Sequence, residues 1–169
     1  ADEALVLVGP RLKDGQVEVV RAFQPAMALG NANQLQQIAV NLLVNAVQAM
    51  EARGTLTVAV GPGAQGHVRL SVTDTGPGVR PEIAKRIFEP FFTTKEASKG
   101  VGLGLAVVYG IVNGHHGRIE VQSPPGRGTT LTVHLPARPA EGLPAAAPAG
   151  MAMPAGVILR MRLLFVSAI

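Results

Sequence analysis

The chain has 169 residues, 47% of them apolar, a formal net charge of +4 and no cysteine. That length buries one core, so one domain with appendages is expected, and the absence of cysteine excludes disulfides and thiolate metal sites. The positive charge does not point to nucleic acid, because the basic residues are scattered and the 5 Phe and 1 Tyr form no stacking stripe among them.

Residues 1–13 read as a short helix broken at Pro10, and Gln16 to Phe23 as a strand. From Asn33, taken as the N-cap, Leu35, Ile38, Ala39, Leu42, Leu43, Ala46, Val47 and Met50 recur at helical spacing up to Gly54. Thr55–Val60 and His67–Thr73 alternate as two strands of a hairpin closed by GPGAQG. Pro81–Ile87 is expected to be a short helix, Leu103–Asn113 an apolar one, and Arg118–Ser123 and Thr129–Leu135 the last two strands, around PPGRG.

After Pro136 the sequence turns to Ala, Pro and Gly. Residues 1–137 are therefore expected to form the folded unit, with 138–169 a linker and disordered tail. The tail's apolar stretch, VILRMRLLFVSAI, is too short and, with Arg160 and Arg162, too charged to span a bilayer. With no signal peptide evident, a cytoplasmic domain without direct membrane contact is expected. The element count and one-sided patterning give an α+β class: a two-layer sandwich with helices on one face of a mixed, mostly antiparallel sheet.

Three stretches carry chemistry. In NLLVNAVQAM, Asn41, Asn45 and Gln48 fall at i, i+4 and i+7, a line of neutral amides on an otherwise apolar helix without Lys or Glu. Such a line is either a solvated face or a set of hard carbonyl donors suited to Mg²⁺ that also holds phosphates. In HVRLSVTDTGPG the strand alternation carries Asp74 onto the apolar face. An inward carboxylate needs a charged partner, a turn to cap or a ligand. The amine of adenine is a fitting donor, whereas guanine would set its carbonyl against the acid, so Asp74 would choose ATP over GTP. In KGVGLGLAVV, a Gly-rich run enters a helix and offers backbone N–H groups to an anion, with Lys95 and Lys99 close by. It is neither a P-loop nor a Rossmann fingerprint. Phe88, Phe91 and Phe92 around Pro90 look like the anchor of a hinged lid from about Thr93 to Val101. The adjacent His115 and His116 read as a surface turn.

Taken in order, NLLVNAVQAM, DTGPG, FEPFFTTK, GVGLGL and GRGTTLTVHLP resemble the N, G1, F, G2 and G3 boxes of the ATP-binding catalytic domain of bacterial sensor histidine kinases, nitrogen-regulator subgroup. The resemblance implies a Bergerat fold. It implies that Asn45 binds Mg²⁺ with Asn41 beside it and Gln48 near the phosphates, and that Asp74 takes the adenine amine with Gly76 and Gly78 making room for the ring. It also implies that Lys95, Lys99, Gly100, Val101, Gly102, Leu103, Gly104 and Leu105 surround the phosphates, with Asn41, Asn45 and Lys95 catalytic. Thr130 would match the hydroxyl that assists Asp74 through water. Two positions depart from the pattern: Val101 stands where Thr is frequent, and His116 makes HHG where HGG is usual.

In the ATPases of this fold a glutamate lies four residues before the Mg²⁺-binding asparagine. Here that residue is Asn41, and an amide is no general base. The resemblance thus implies a phosphoryl donor that leaves water unactivated; a nucleotide-binding regulatory module without phosphotransfer and an ATPase of this fold are the alternative readings. The implied partners are a histidine-bearing helical dimerisation domain, which no segment of this chain resembles, and a downstream response regulator.

Overall fold

The structure is a computed structural model that describes residues 1–13, 16–51, 53–93 and 101–137. Helix α1 (Asp2–Lys13) is followed by strand β1 (Gln16–Phe23), α2 (Ala32–Ala49), β2 (Arg53–Pro62) and β3 (His67–Asp74). The short α3 (Pro81–Ala84), α4 (Gly104–Gly114), β4 (Arg118–Gln122) and β5 (Thr129–Pro136) complete the chain order. One five-stranded sheet runs β1-β2-β3-β5-β4, with β1 parallel to β2 and every other pair antiparallel. The expected mixed, mostly antiparallel α+β architecture is what forms.

Two local expectations are corrected. Helix α1 continues through Pro10, although proline withholds the N–H that a helix would use there and crowds the preceding turn. Its first turns are held instead by Ala4 and Leu5, both buried. The N-cap of α2 is Asn31, not Asn33: the Asn31 side-chain oxygen accepts from the backbone N–H groups of Asn33 (3.0 Å) and Gln34 (3.2 Å). Tail residues 138–169 and most of the expected lid, 94–100, lie outside the described residues.

Helix α2 lays Leu35, Ile38, Leu42, Leu43, Ala46 and Val47 on the sheet, where Leu56, Val58, Val72, Leu131 and Val133 receive them. Each such large side chain, fully buried, contributes roughly 1.5–3 kcal/mol. Helix α4 adds Val108 and Val112 to the same core. Its C-terminus is tied to the start of α2 by His115, which the sequence had suggested was only a surface turn. The His115 Nε2 lies 3.2 Å from the Asn31 backbone N–H and its Nδ1 2.8 Å from the Ile111 carbonyl oxygen. A neutral ring protonated on Nδ1 satisfies both.

The other sheet face is polar. There Ser71 meets Thr132 (3.3 Å) and Thr73 meets Thr130 (2.9 Å), hydroxyl to hydroxyl. Beside them His134, 8% exposed, stands in register between Arg69 and Arg118. Burial first, and then the Arg118 charge, lower its pKa, opposed by Glu120 with an oxygen 3.4 Å from Nε2; His67 lowers it further. A histidine whose folded pKa lies below its unfolded value binds fewer protons native than unfolded, so its contribution is intact above the unfolded value and is lost as pH falls through the interval between the two. The melting temperature should therefore drop as pH falls below about 6.5, and less steeply in His134→Gln. Equal slopes for the two proteins, measured by thermal denaturation from neutral to mildly acidic pH, would remove His134 from the acid response.

Candidate functional site

Strand β3 alternates Val68, Leu70 and Val72 toward the helices, and the same phase turns Asp74 inward, 3% exposed. Its cross-strand neighbours are Leu56 on β2 and Thr129 on β5. The carboxylate is held by backbone donors: Oδ1 accepts from the Gly76 N–H (2.9 Å) and the Thr129 N–H (3.2 Å). Two such charge-assisted bonds offset much of the cost of burying an ionised acid.

The loop after Asp74 is pressed onto the turn between β4 and β5. Gly126 N–H donates to the Pro77 carbonyl (2.8 Å), and Val79 N–H donates to Ser123 Oγ (2.6 Å). Gly78, at φ 75°, is packed so closely that a β-carbon would stand 2.7 Å from the Pro124 oxygen. Gly128, at φ 80°, lies so near the Asp74 carbonyl that a β-carbon would collide with it. Gly76 sits between the Asp74 carboxylate and the Ala49 carbonyl. These contacts join DTGPG, the end of α2 and GRGTT into one corner.

A cavity of about 280 Å³ opens at that corner, near the lower end of small-molecule sites. Asn45 and Gln48 from α2, Gly78 and Val79 from the loop, and Thr129 and Leu131 from β5 are among its walls, with Phe92 and Leu105. Asp74 lies behind this lining, bonded to Thr129. A larger cavity, about 370 Å³, lies around the first residues of α1 and α2, away from all of these.

The remaining expected site residues divide. Asn41 does not line the cavity: its Nδ2 donates to the Gly104 carbonyl (3.2 Å), joining mid-α2 to the start of α4. Gly102, at φ 71°, packs on the backbone of Phe91 and Phe92, and its carbonyl accepts the Phe91 N–H (3.0 Å). Val101 and Leu103 are exposed, and no side chain caps α4 at Leu103. Lys95, Lys99 and Gly100 lie outside the described residues.

Thr130 is a correction. It pairs with Thr73, and the two hydroxyls meet on the polar face of the sheet. Thr129 is the residue that pairs with Asp74 and reaches the cavity. Sequence reasoning also missed Ser123, whose Oγ is 2.8 Å from Thr129 Oγ1; its place at the end of β4, facing the G1 loop, is a tertiary fact. Of the expected aromatic anchor, Phe92 reaches the cavity with Arg86 4.5 Å over its ring, Phe88 packs 5.6 Å from Tyr109, and Phe91 is exposed at φ 64°.

Among the described residues no cluster of three His, Cys, Asp or Glu exists that could hold a metal. A divalent cation here would draw on the Asn45 amide oxygen, with water and phosphate completing its shell, a donor set suited to Mg²⁺.

Comparison with known proteins agrees with this geometry. Residues 30–139 match the family described as Histidine kinase-, DNA gyrase B-, and HSP90-like ATPase. The chain belongs to that family. Within it, the chain is 39% identical over 140 residues to the signal transduction histidine-protein kinase AtoS of Escherichia coli, covering 82% of this chain and 23% of AtoS. It is 38% identical over 137 residues to the sensory histidine kinase/phosphatase NtrB of Rhodobacter capsulatus, covering 73% of this chain and 38% of NtrB. The crystal structure of full-length ShkA in complex with AMPPNP superposes with a TM-score of 0.70 at 33% identity, over 80% of this chain and 29% of that one. The chain therefore spans well under half the length of these relatives.

Replacing Gly128 with Ala should unsettle the Asp74 corner by the strain of an L residue at positive φ plus the clash, roughly 1–3 kcal/mol. Gly126→Ala, where a β-carbon meets no atom within 4 Å, controls for the strain alone. Chemical denaturation of the two variants checks this: a Gly128→Ala no weaker than Gly126→Ala would mean the loop gives way without cost.

Proposed function

We propose that this chain is the Mg·ATP-binding catalytic domain of a sensor histidine kinase, and that residues 1–137 form the working unit. The observation that carries the reading is Asp74: a buried carboxylate, oriented by two backbone N–H groups, directly behind a cavity walled by Thr129 and by the amides Asn45 and Gln48. Family membership and the AMPPNP bound to ShkA support the same ligand. Asp74 would accept from the adenine amine, with Gly78 on the cavity wall beside the ring; the β-carbon sides of Gly76 and Gly78 face the Ala49 and Pro124 carbonyls, so the glycines serve the turn rather than open space for the ring. Asn45, with Asn41 behind it, would hold Mg²⁺, and Gln48 and the start of α4 with Lys95 and Lys99 would face the phosphates. Bound Mg²⁺ would supply charge neutralisation on the phosphate oxygens.

In the reaction a histidine nitrogen of a helical dimerisation domain, outside this chain, attacks the γ-phosphorus. An N–P bond forms, the bond to the β,γ-bridging oxygen breaks, and ADP leaves with that electron pair. The protein's share is positioning and electrostatics. Asn41, an amide occupied by the Gly104 carbonyl, takes no proton from water, which spares the γ-phosphate for the protein acceptor. The phosphoryl group would then pass to a response regulator in the cytoplasm. Among the described residues no helix is long and apolar enough to cross a membrane.

With Mg·ATP labelled on the γ-phosphate, the chain should transfer label to a separately supplied dimerisation domain of its own kinase, as an acid-labile, base-stable phosphate, and should not label itself. Steady ATP turnover by the isolated chain, without transfer, would replace this reading with an ATPase. Asn45→Ala should abolish the Mg²⁺-dependent part of ATP binding, whereas Asp74→Asn should weaken ATP roughly 10- to 100-fold through loss of one charge-assisted bond. Titration calorimetry with and without Mg²⁺ separates the two; intact Mg²⁺ dependence in Asn45→Ala refutes the metal assignment.

A further inference from the structure

Met50, the C-cap of α2, is buried, and two hydrogens from Thr75 converge on its sulfur. The Thr75 backbone N–H donates to Sδ at 3.4 Å and the Thr75 hydroxyl donates to it at 3.6 Å. That hydroxyl accepts the Thr55 N–H at 3.0 Å through a lone pair, which leaves its hydrogen for the sulfur. Gly54, at φ 129°, keeps the space open: a β-carbon there would collide with Thr75 Oγ1 and stand 3.2 Å from Met50 Sδ. The main chain of Met50 is fixed in turn, its N–H donating to the Ala46 carbonyl (3.1 Å) and its carbonyl accepting the Arg53 N–H (3.1 Å).

Thr75 is the middle residue of the turn that holds Asp74. The Asp74 carboxylate accepts the N–H of Gly76, two residues on, and this ring closes only while the peptide planes on either side of Thr75 keep their mutual angle. Met50 grips the first of those planes through the Thr75 N–H. We infer that Met50 is a positioning residue for nucleotide recognition: its thioether ties the end of α2 to the centre of the Asp74 turn and so aims the carboxylate at the base. This rests on the nucleotide reading above and deepens it. A thioether on a flexible stem fills an irregular gap and accepts both hydrogens, whereas leucine fills a similar volume and accepts nothing. Because Thr75 is exposed, the N–H and hydroxyl released in a leucine variant turn to water. The fold is then spared buried orphan donors, but the Asp74 turn loses its tie to α2. Met50 stands outside the base corner, so its influence reaches a ligand only through Thr75 and Asp74.

The test uses the full chain with ATP and with purine riboside triphosphate, which is ATP without the amine that Asp74 would accept from; calorimetry gives the dissociation constants. Wild type should favour ATP by about tenfold, the worth of one charge-assisted hydrogen bond. Met50→Leu should cut that preference to about threefold or less, while affinity for the amine-free triphosphate changes by less than about twofold. If Met50→Leu weakens both ligands by the same factor, or leaves the preference at its wild-type value, Met50 only packs and the inference is overturned. Should that variant fail to fold by circular dichroism, Thr75→Val decides, since it removes one of the two donors to the sulfur on an exposed residue. A loss confined to ATP then supports the inference, and an equal loss of both ligands, or none, ends it. These outcomes bear on Met50 alone, whereas a wild-type chain that binds no ATP, or binds the two triphosphates alike, refutes the nucleotide reading of Asp74 itself.

Discussion

A carboxylate buried at the end of β3 constrains everything around it. Asp74 carries the charge to the inner side of the sheet, where an unpaired acid would cost several kcal/mol, and it is held by the N–H groups of Gly76 and Thr129. Those two donors come from the residue pair just after β3 and from the first residue of β5. To present both, β5 must lie beside β3 in one register, and the loop after Asp74 must turn back at once. Gly78 and Gly128 permit that turn, and Ser123 and Pro124 close over it. The strand order, with β5 inserted between β3 and β4, is thus the order that brings donors to the acid.

The other side of the cavity has a different construction. Helix α2 is fixed by its apolar face, and its amides are left over from that packing: Asn41 at the seam with α4, Asn45 and Gln48 toward the open end. The Asn41 bond to the Gly104 carbonyl sets the height of α4 against α2, as the His115 contact with Asn31 does at the far end. Two polar pins hold two largely apolar helices in register, a job that sliding hydrocarbon surfaces do poorly. The start of α4, with no side-chain cap, then presents its N–H groups at a position that α2 determines.

How much of this the sequence discloses depends on whether periodicity or tertiary contact decides the position. The inward turn of Asp74 follows from three alternating apolar residues before it, and the amide line of α2 from the 3.6 period; both are local. The assignment of the hydroxyl near Asp74 to Thr130 fails by one residue, and in a strand one residue changes the face. GRGTT offers two threonines in a row, and only the pairing of Asp74 with Thr129 chooses between them. Asn31 and Asn33 pose the same ambiguity for the cap of α2, resolved by the backbone geometry at Asn31. Pro10 misleads because its penalty is local while α1 is held by Ala4 and Leu5. Ser123 leaves no trace in a linear reading, since its three partners belong to the G1 loop and to its own hairpin.

On the proposed reading, the two halves of the cavity also divide the work of catalysis. The adenine corner is a closed set of backbone and hydroxyl bonds anchored in the sheet, with no long side chain in it, so it loses little entropy when a base arrives. The phosphate side is drawn from the helix amides and the start of α4, where the Gly102 carbonyl accepts the Phe91 N–H. A base corner tied to the sheet, beside a phosphate side set by two helices, lets base binding supply affinity while the γ-phosphate is aligned with an acceptor arriving on another domain. Phosphoryl transfer, which depends on alignment more than on covalent help from the protein, rewards that arrangement.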